Sequence, residues 1–92
     1  MHDDVVRRRV RVQGRVQGVF FRDSARQRAR ADGVAGWISN RPDGAVEAVL
    51  EGPRAAVQRV VRFMEAGPRH ASVEHIEVEE EPPEGLRGFE IR

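Results

Sequence analysis

Gly14-Arg15-Val16-Gln17-Gly18-Val19-Phe20-Phe21-Arg22 is the stretch at which the chain passes from one periodicity to another. Two glycines within five residues permit a tight turn that gathers several backbone N–H groups into one concavity, and a helix starting just beyond adds the positive end of its dipole. Arg22 falls in the first turn of that helix. Its guanidinium fork can hold two oxygens of one phosphate in parallel, as a lysine could not. The stretch therefore reads as an anion cradle. Spacing alone is equally compatible with a plain strand-to-helix turn, in which the glycines serve geometry and the arginine is solvated. Neither the Gly-Lys-Ser/Thr ending of a nucleotide loop nor the three-glycine dinucleotide fingerprint is present.

Before the cradle, Val5 to Gln13 alternates as a strand does, with Val6, Val10 and Val12 on one face and Arg7, Arg9 and Arg11 on the other, Arg8 alone interrupting the apolar side. After it, Phe21, Ala25 and Ala29 recur every four residues, predicting a helix from Phe21 to Asp32 closed by a left-handed Gly33. Val34 to Asn40 reads as a short strand holding the only tryptophan, Trp37. Arg41-Pro42-Asp43-Gly44 is a reverse turn, and Ala45 to Glu51 pairs back as a hairpin. Gly52-Pro53 is expected to open a second helix with the proline in its first position. There Val57, Val60, Val61 and Met64 form a core stripe. Gly67-Pro68 stops that helix, Val73 to Glu80 alternates again, Glu81 to Gly85 is a loop, and Phe89 to Arg92 has the composition of a short last strand.

Strand, helix, strand, strand, helix, strand is the ferredoxin-like split β-α-β order: an α+β sandwich with four antiparallel strands, two helices on one face and room for a short fifth C-terminal strand. The rules of connection make the first and second strands parallel with the third between them, so their C-terminal ends share one edge of the sheet. The first ends at the cradle and the second at Asn40. Two polar groups far apart in sequence are thereby brought together, where an anion held by one could meet a water held by the other.

The 92 residues fit a single domain spanning 1–92, with one two-layer core. The absence of cysteine rules out disulfides and thiol chemistry and suits a cytoplasmic address. No apolar run reaches signal-peptide or membrane-spanning length, so no membrane association is expected. Sixteen basic residues, all arginine, face 15 acidic ones for a net charge of +1. His2, His70 and His75 lack metal-ligand spacing, and Ser24, Ser39 and Ser72 lack a nucleophile-elbow context. No metal and no cofactor are expected.

The cradle and the stretch Gly36-Trp37-Ile38-Ser39-Asn40-Arg41-Pro42-Asp43-Gly44 together resemble the two signature stretches of acylphosphatases. The resemblance extends through Glu51-Gly52-Pro53 to Gly88-Phe89-Glu90-Ile91-Arg92, leaving the Met1 to Asp4 tail outside. Asp32 stands where the family usually carries an apolar residue. The resemblance implies the same fold and metal-free hydrolysis of the carboxyl–phosphate anhydride bond of a small acyl phosphate, with inorganic phosphate as product. It further implies that Arg22 binds the phosphoryl group with the backbone amides of Arg15, Val16, Gln17, Gly18 and Val19, and that Asn40 orients the attacking water.

That chemistry accounts for what the chain lacks. A carboxylate leaving group, with a parent pKa of about 4, departs as an anion without a general acid. Loose phosphoryl transfer needs mainly positioning and charge neutralisation, which an arginine and a ring of amides supply. Asn40 cannot be a base at neutral pH, which leaves it the alignment of water. Without the resemblance, a strand-end asparagine more commonly bonds its own turn.

A phosphate- or nucleic-acid-binding module is the alternative, prompted by Arg7-Arg8-Arg9, and a regulatory module with an inert cradle is another. Against nucleic acid, the outward positions of the first strand are arginines facing Glu47, Glu51, Glu77 and Glu79 in a charge ladder, without the aromatic platforms of an RNA-binding sheet. A monomer without nucleic-acid partners is expected.

Overall fold

A computed structural model describes residues 4–92; His2 and most of the Met1 to Asp4 tail lie outside the described residues. The valine–arginine alternation forms β1 (Val5–Arg15), two residues longer than the pattern predicts. The extension comes from Gly14, whose φ of +129° lets the strand shift register after Gln13 and go on pairing with Val73 and Ser72. A Cβ at Gly14 would lie 2.3 Å from the Ser72 carbonyl oxygen, so glycine is required by contact as well as by conformation. The cradle follows, then α1 (Phe21–Ala31), which buries Phe21, Ala25 and Ala29 as their spacing predicts. Asp32 caps its C-terminus and accepts from Arg28 and, across to the second helix, from Arg59.

β2 (Ala35–Asn40) and β3 (Val46–Pro53) form the expected hairpin. Pro53 does not open the second helix from within. Gly52 and Pro53 remain in β3 because Val6 and Val5 pair with them, and α2 (Arg54–Ala66) begins one residue later with Pro53 as its N-cap. Ala56, Val57, Val60 and Met64 are buried, whereas Val61 is only half-buried at the edge of the stripe. β4 (Ser72–Glu81) takes Glu81 from the predicted loop, since Arg7 pairs with it. β5 (Phe89–Ile91) is formed and pairs in parallel with β2.

The sheet runs β4-β1-β3-β2-β5, so the four strands of the ferredoxin-like core are joined by a fifth that makes it mixed. β1 and β2 each pair antiparallel with β3 and are therefore parallel to one another, as expected. Both helices pack on the face of Val10, Val12, Ile38, Val46, Ala48 and Leu50, which are fully buried. Burial of those side chains is the main stabilising term, at roughly 1.5–3 kcal/mol for each large aliphatic group.

The opposite face carries the arginines, with Glu47 and Glu51 as partners as the ladder predicts but Glu81 and Asp43 in place of Glu77 and Glu79. Arg7 is 5% exposed and Glu51 3% exposed, because residues 84–86 fold over them and donate their amides to the Glu51 carboxylate at 3.0, 2.5 and 3.0 Å. Arg7 binds Glu51 at 3.3 Å and Glu81 at 2.9 Å. Arg9 binds Glu81 and Glu47, and Arg11 binds Asp43. Glu77 and Glu79 stand opposite Arg11 and Arg9 in register yet make no ion pair among the described residues, because Glu81 and Asp43 take those guanidinium groups instead. Trp37 lies between the guanidinium carbons of Arg9 and Arg92, 5.6 and 5.0 Å from its ring centre, closing the middle of this face.

Candidate active site

Val12, Val46 and Asn40 lie in one row across β1, β3 and β2. Directly paired residues share a face of the sheet, so Asn40 points to the side of buried Val12 and Val46, where the helices lie. β1 runs three residues past this row to Arg15 and then crosses back towards β2 through Val16 to Phe20. The strand ends thus bring the cradle and Asn40 to one edge, as topology alone predicts.

Within the cradle, Val16 is buried and anchors the loop, while Arg15 and Gly18 are exposed. Gly18 takes φ +74° with open space where a Cβ would stand, so its role is conformational. Among the described residues, no protein acceptor takes the backbone N–H of Val16, Gln17, Gly18 or Val19. The first helical bond beyond the loop runs from Ser24 N–H to the Phe20 carbonyl. A run of unpaired amides ahead of a helix N-terminus is an arrangement suited to an anion. Arg22, half-buried in the first turn of α1, makes no ion pair among the described residues, in contrast to Arg26 four residues on, which binds Asp23 at 3.1 Å.

Asn40 does not bond its own turn. That function falls to Asp43, whose Oδ1 accepts the Ala45 N–H at 3.1 Å; with the Arg11 guanidinium as a further donor, this bond holds the Asp43 carboxyl below its ordinary range. Asn40 Oδ1 is buried and has no hydrogen-bond partner in the protein, the one such side-chain atom among the described residues. An unmatched buried carbonyl oxygen costs about 1–3 kcal/mol, a penalty that a bound water removes. Gln17 contributes more than the backbone amide expected of it. Its Nε2 donates to the carbonyls of Arg41 and Ala45, both at 2.9 Å, bracing the cradle against the turn after Asn40. No periodicity or motif spacing could have revealed this brace, which depends on the loop folding back on the sheet edge.

The remaining expectations fall outside this edge. His70 and His75 are exposed, and no group of three or more His, Cys, Asp or Glu among the described residues is placed to share a metal ion. Ser39 Oγ donates to the Asn40 carbonyl at 3.1 Å and has no base beside it. No helix of the described residues is long and apolar enough to cross a membrane. A groove of about 200 Å³ lies between α2 and the β1–β4 pair, lined by Val6, Arg8, Val57, Val61 and Val78. It includes no residue of the cradle, and the chemistry follows the polar groups.

A ferredoxin-like domain with an amide cradle, an unpaired arginine and an orphaned asparagine oxygen at one sheet edge has the makings of a phosphoryl-transfer enzyme. The family model described as Acylphosphatase matches residues 8–91. A curated acylphosphatase of Rubrobacter xylanophilus is 62% identical over 85 residues, covering 91% of this chain and 77% of that protein. Among solved structures, an acylphosphatase from Coxiella burnetii superposes with a TM-score of 0.92 at 35% identity, over 97% of this chain and 94% of that one. The crystal structure of acylphosphatase from Bacillus subtilis gives 0.91 at 40% identity, over 95% and 98%. This chain belongs to the acylphosphatase family and is an enzyme of that kind.

Proposed function

We propose that the chain hydrolyses the carboxyl–phosphate anhydride bond of small acyl phosphates by in-line attack of a water held at Asn40 on a phosphoryl group held in the cradle. The Arg22 fork takes two phosphoryl oxygens, and the amides of Arg15 to Val19 with the α1 dipole share the remaining charge. The water oxygen attacks phosphorus, the bond from phosphorus to the carboxyl oxygen breaks, and its electron pair leaves with the carboxylate. One water proton stays on the new P–O bond and the other passes to a phosphoryl oxygen. No protein base enters this scheme.

The observation that carries it is the buried, unpartnered Oδ1 of Asn40. A carbonyl oxygen there accepts a hydrogen bond from water and turns the water's lone pair toward the cradle. Asn40→Ala should therefore lower turnover by about a hundredfold while inorganic phosphate still binds almost as tightly, since the oriented water matters in the transition state and not in ground-state anion binding. Turnover and phosphate affinity falling in step would make Asn40 a phosphate ligand and end the water-orienting role.

The enzyme works, on this reading, as a monomeric single domain in the cytoplasm, without a metal, a cofactor or a nucleic-acid partner. Support for the last point is the sheet face away from the helices, where Arg7, Arg9 and Arg11 are already engaged by carboxylates and Trp37 is flanked by two guanidinium groups.

A further inference from the structure

Phe20 is poorly suited to the place it occupies, if folding were its only task. It is the sole non-glycine residue with positive φ among the described residues, at φ 61° and ψ 24°, a region where bulky side chains are outliers. It is also the N-cap of α1, a position favouring Ser, Thr, Asp, Asn or Gly, and its side chain makes no capping bond. Phe20 is 77% exposed, more than the other exposed large apolar residues among the described ones, Val5 and Val78. The residues on either side behave otherwise: Val19 packs against the core and Phe21 is buried. A glycine would relieve the backbone, and an asparagine would both tolerate it and cap the helix.

Strain of this kind points to function when the residue adjoins a site. Phe20 lies between the Val19 amide and Arg22, on the rim of the cradle. A phosphoryl group seated there leaves the acyl portion of the substrate outside, joined through a single oxygen and within reach of an exposed ring on that rim. We propose that Phe20 is the specificity-determining contact for the acyl group, and that the enzyme selects acyl phosphates whose acyl portion is apolar, aryl or branched alkyl, over the smallest ones. This rests on the cradle as the phosphoryl site. It adds a direction of preference that phosphate recognition alone cannot supply.

The test compares benzoyl phosphate with acetyl phosphate for the parent enzyme, Phe20→Asn and Phe20→Trp, reading kcat/KM for each substrate, inhibition by inorganic phosphate and thermal unfolding. Covering on the order of 50 Å² of apolar surface corresponds to about a tenfold preference, so the benzoyl-to-acetyl ratio should fall about tenfold in Phe20→Asn and be retained in Phe20→Trp. Unfolding temperature should hold or rise in Phe20→Asn, because strain is eased and a cap is gained. A ratio within about twofold of the parent value in Phe20→Asn would overturn the proposal, as would an equal loss toward both substrates with weakened phosphate inhibition, which would make Phe20 part of the cradle itself. Failure of the parent enzyme to hydrolyse either substrate would instead overturn the assignment of the phosphoryl site.

Discussion

Gln17 and Arg41, 24 positions apart in sequence, are joined by a 2.9 Å hydrogen bond from the Gln17 side-chain amide to the Arg41 carbonyl, and the same nitrogen reaches the Ala45 carbonyl at the other end of the turn. Arg41 in turn donates its backbone N–H to Ala45 O at 2.8 Å. One side chain of the cradle thus fixes the turn that immediately follows Asn40, and with it the position of Asn40 relative to the cradle.

Gln17→Leu removes both bonds while keeping most of the volume. At about 0.5–1.5 kcal/mol for each net hydrogen bond, unfolding free energy should fall by about 1–3 kcal/mol. The larger effect should be on turnover, since displacement of a reacting group by about 1 Å can lower a rate a hundredfold. Gln17→Glu should behave similarly, because an ionised carboxylate cannot donate to two carbonyls. Denaturant titration and steady-state kinetics on both variants decide the matter: lost stability with unchanged kcat would reduce the brace to a structural tie.

Arg22 offers a sharper test of the cradle, as it makes no competing ion pair among the described residues. Arg22→Lys keeps the charge and loses the fork. Removal of one aligned charge-stabilising donor lowers rates about a hundredfold to a thousandfold, and a loss of that size is expected. Phosphate should raise the unfolding temperature of the parent enzyme by mass action and have little effect on the variant. A lysine enzyme working within a few-fold of the parent would take Arg22 out of its assigned role.

Alternation and turn chemistry were sufficient to read the strands and helices because nearly every apolar residue of β1 and α2 faces the same core. The ends were less legible. Pro53 belongs to β3 because Val5 lies opposite it, a fact of pairing and not of local preference. Gly14 reads as a turn residue, yet it continues β1 past a register shift, since the reason for glycine is the Ser72 carbonyl on another strand. The motif residues Arg22 and Asn40 could be placed at one edge from topology. The orphaned oxygen of Asn40 could not, because burial without a partner is a property of the assembled site. Nor could the exposed face be read correctly: alternation sends Arg7 and Glu51 outward, and only the fold of residues 84–86 across them makes that pair interior.

That covered pair governs the behaviour of the enzyme in acid. Burial by itself raises the pKa of Glu51, but the amides of Glu84, Leu86 and Gly85 and the Arg7 guanidinium outweigh it, leaving the carboxyl below the ordinary glutamate value of 4.5. Glu81 is lowered too, by bonds from Arg9 and then Arg7. Both groups bind a proton more weakly folded than unfolded, so the unfolded chain takes up more protons as pH falls and stability declines with it. Their contribution is complete above about pH 4.5 and is lost as the pH drops through the lower folded-state values. Glu51→Gln should therefore destabilise the enzyme at neutral pH by about 1–3 kcal/mol, because Arg7 keeps Glu81 but loses the buried one of its carboxylate partners. The deficit should shrink as the pH falls through the lowered folded-state value of Glu51, below which the parent glutamate is itself protonated and no longer supplies its charge to Arg7. Urea midpoints for both proteins across that range would check this: two curves that remain parallel from neutral to strong acid would mean that the Glu51 charge contributes nothing and that the 84–86 segment is held by packing alone.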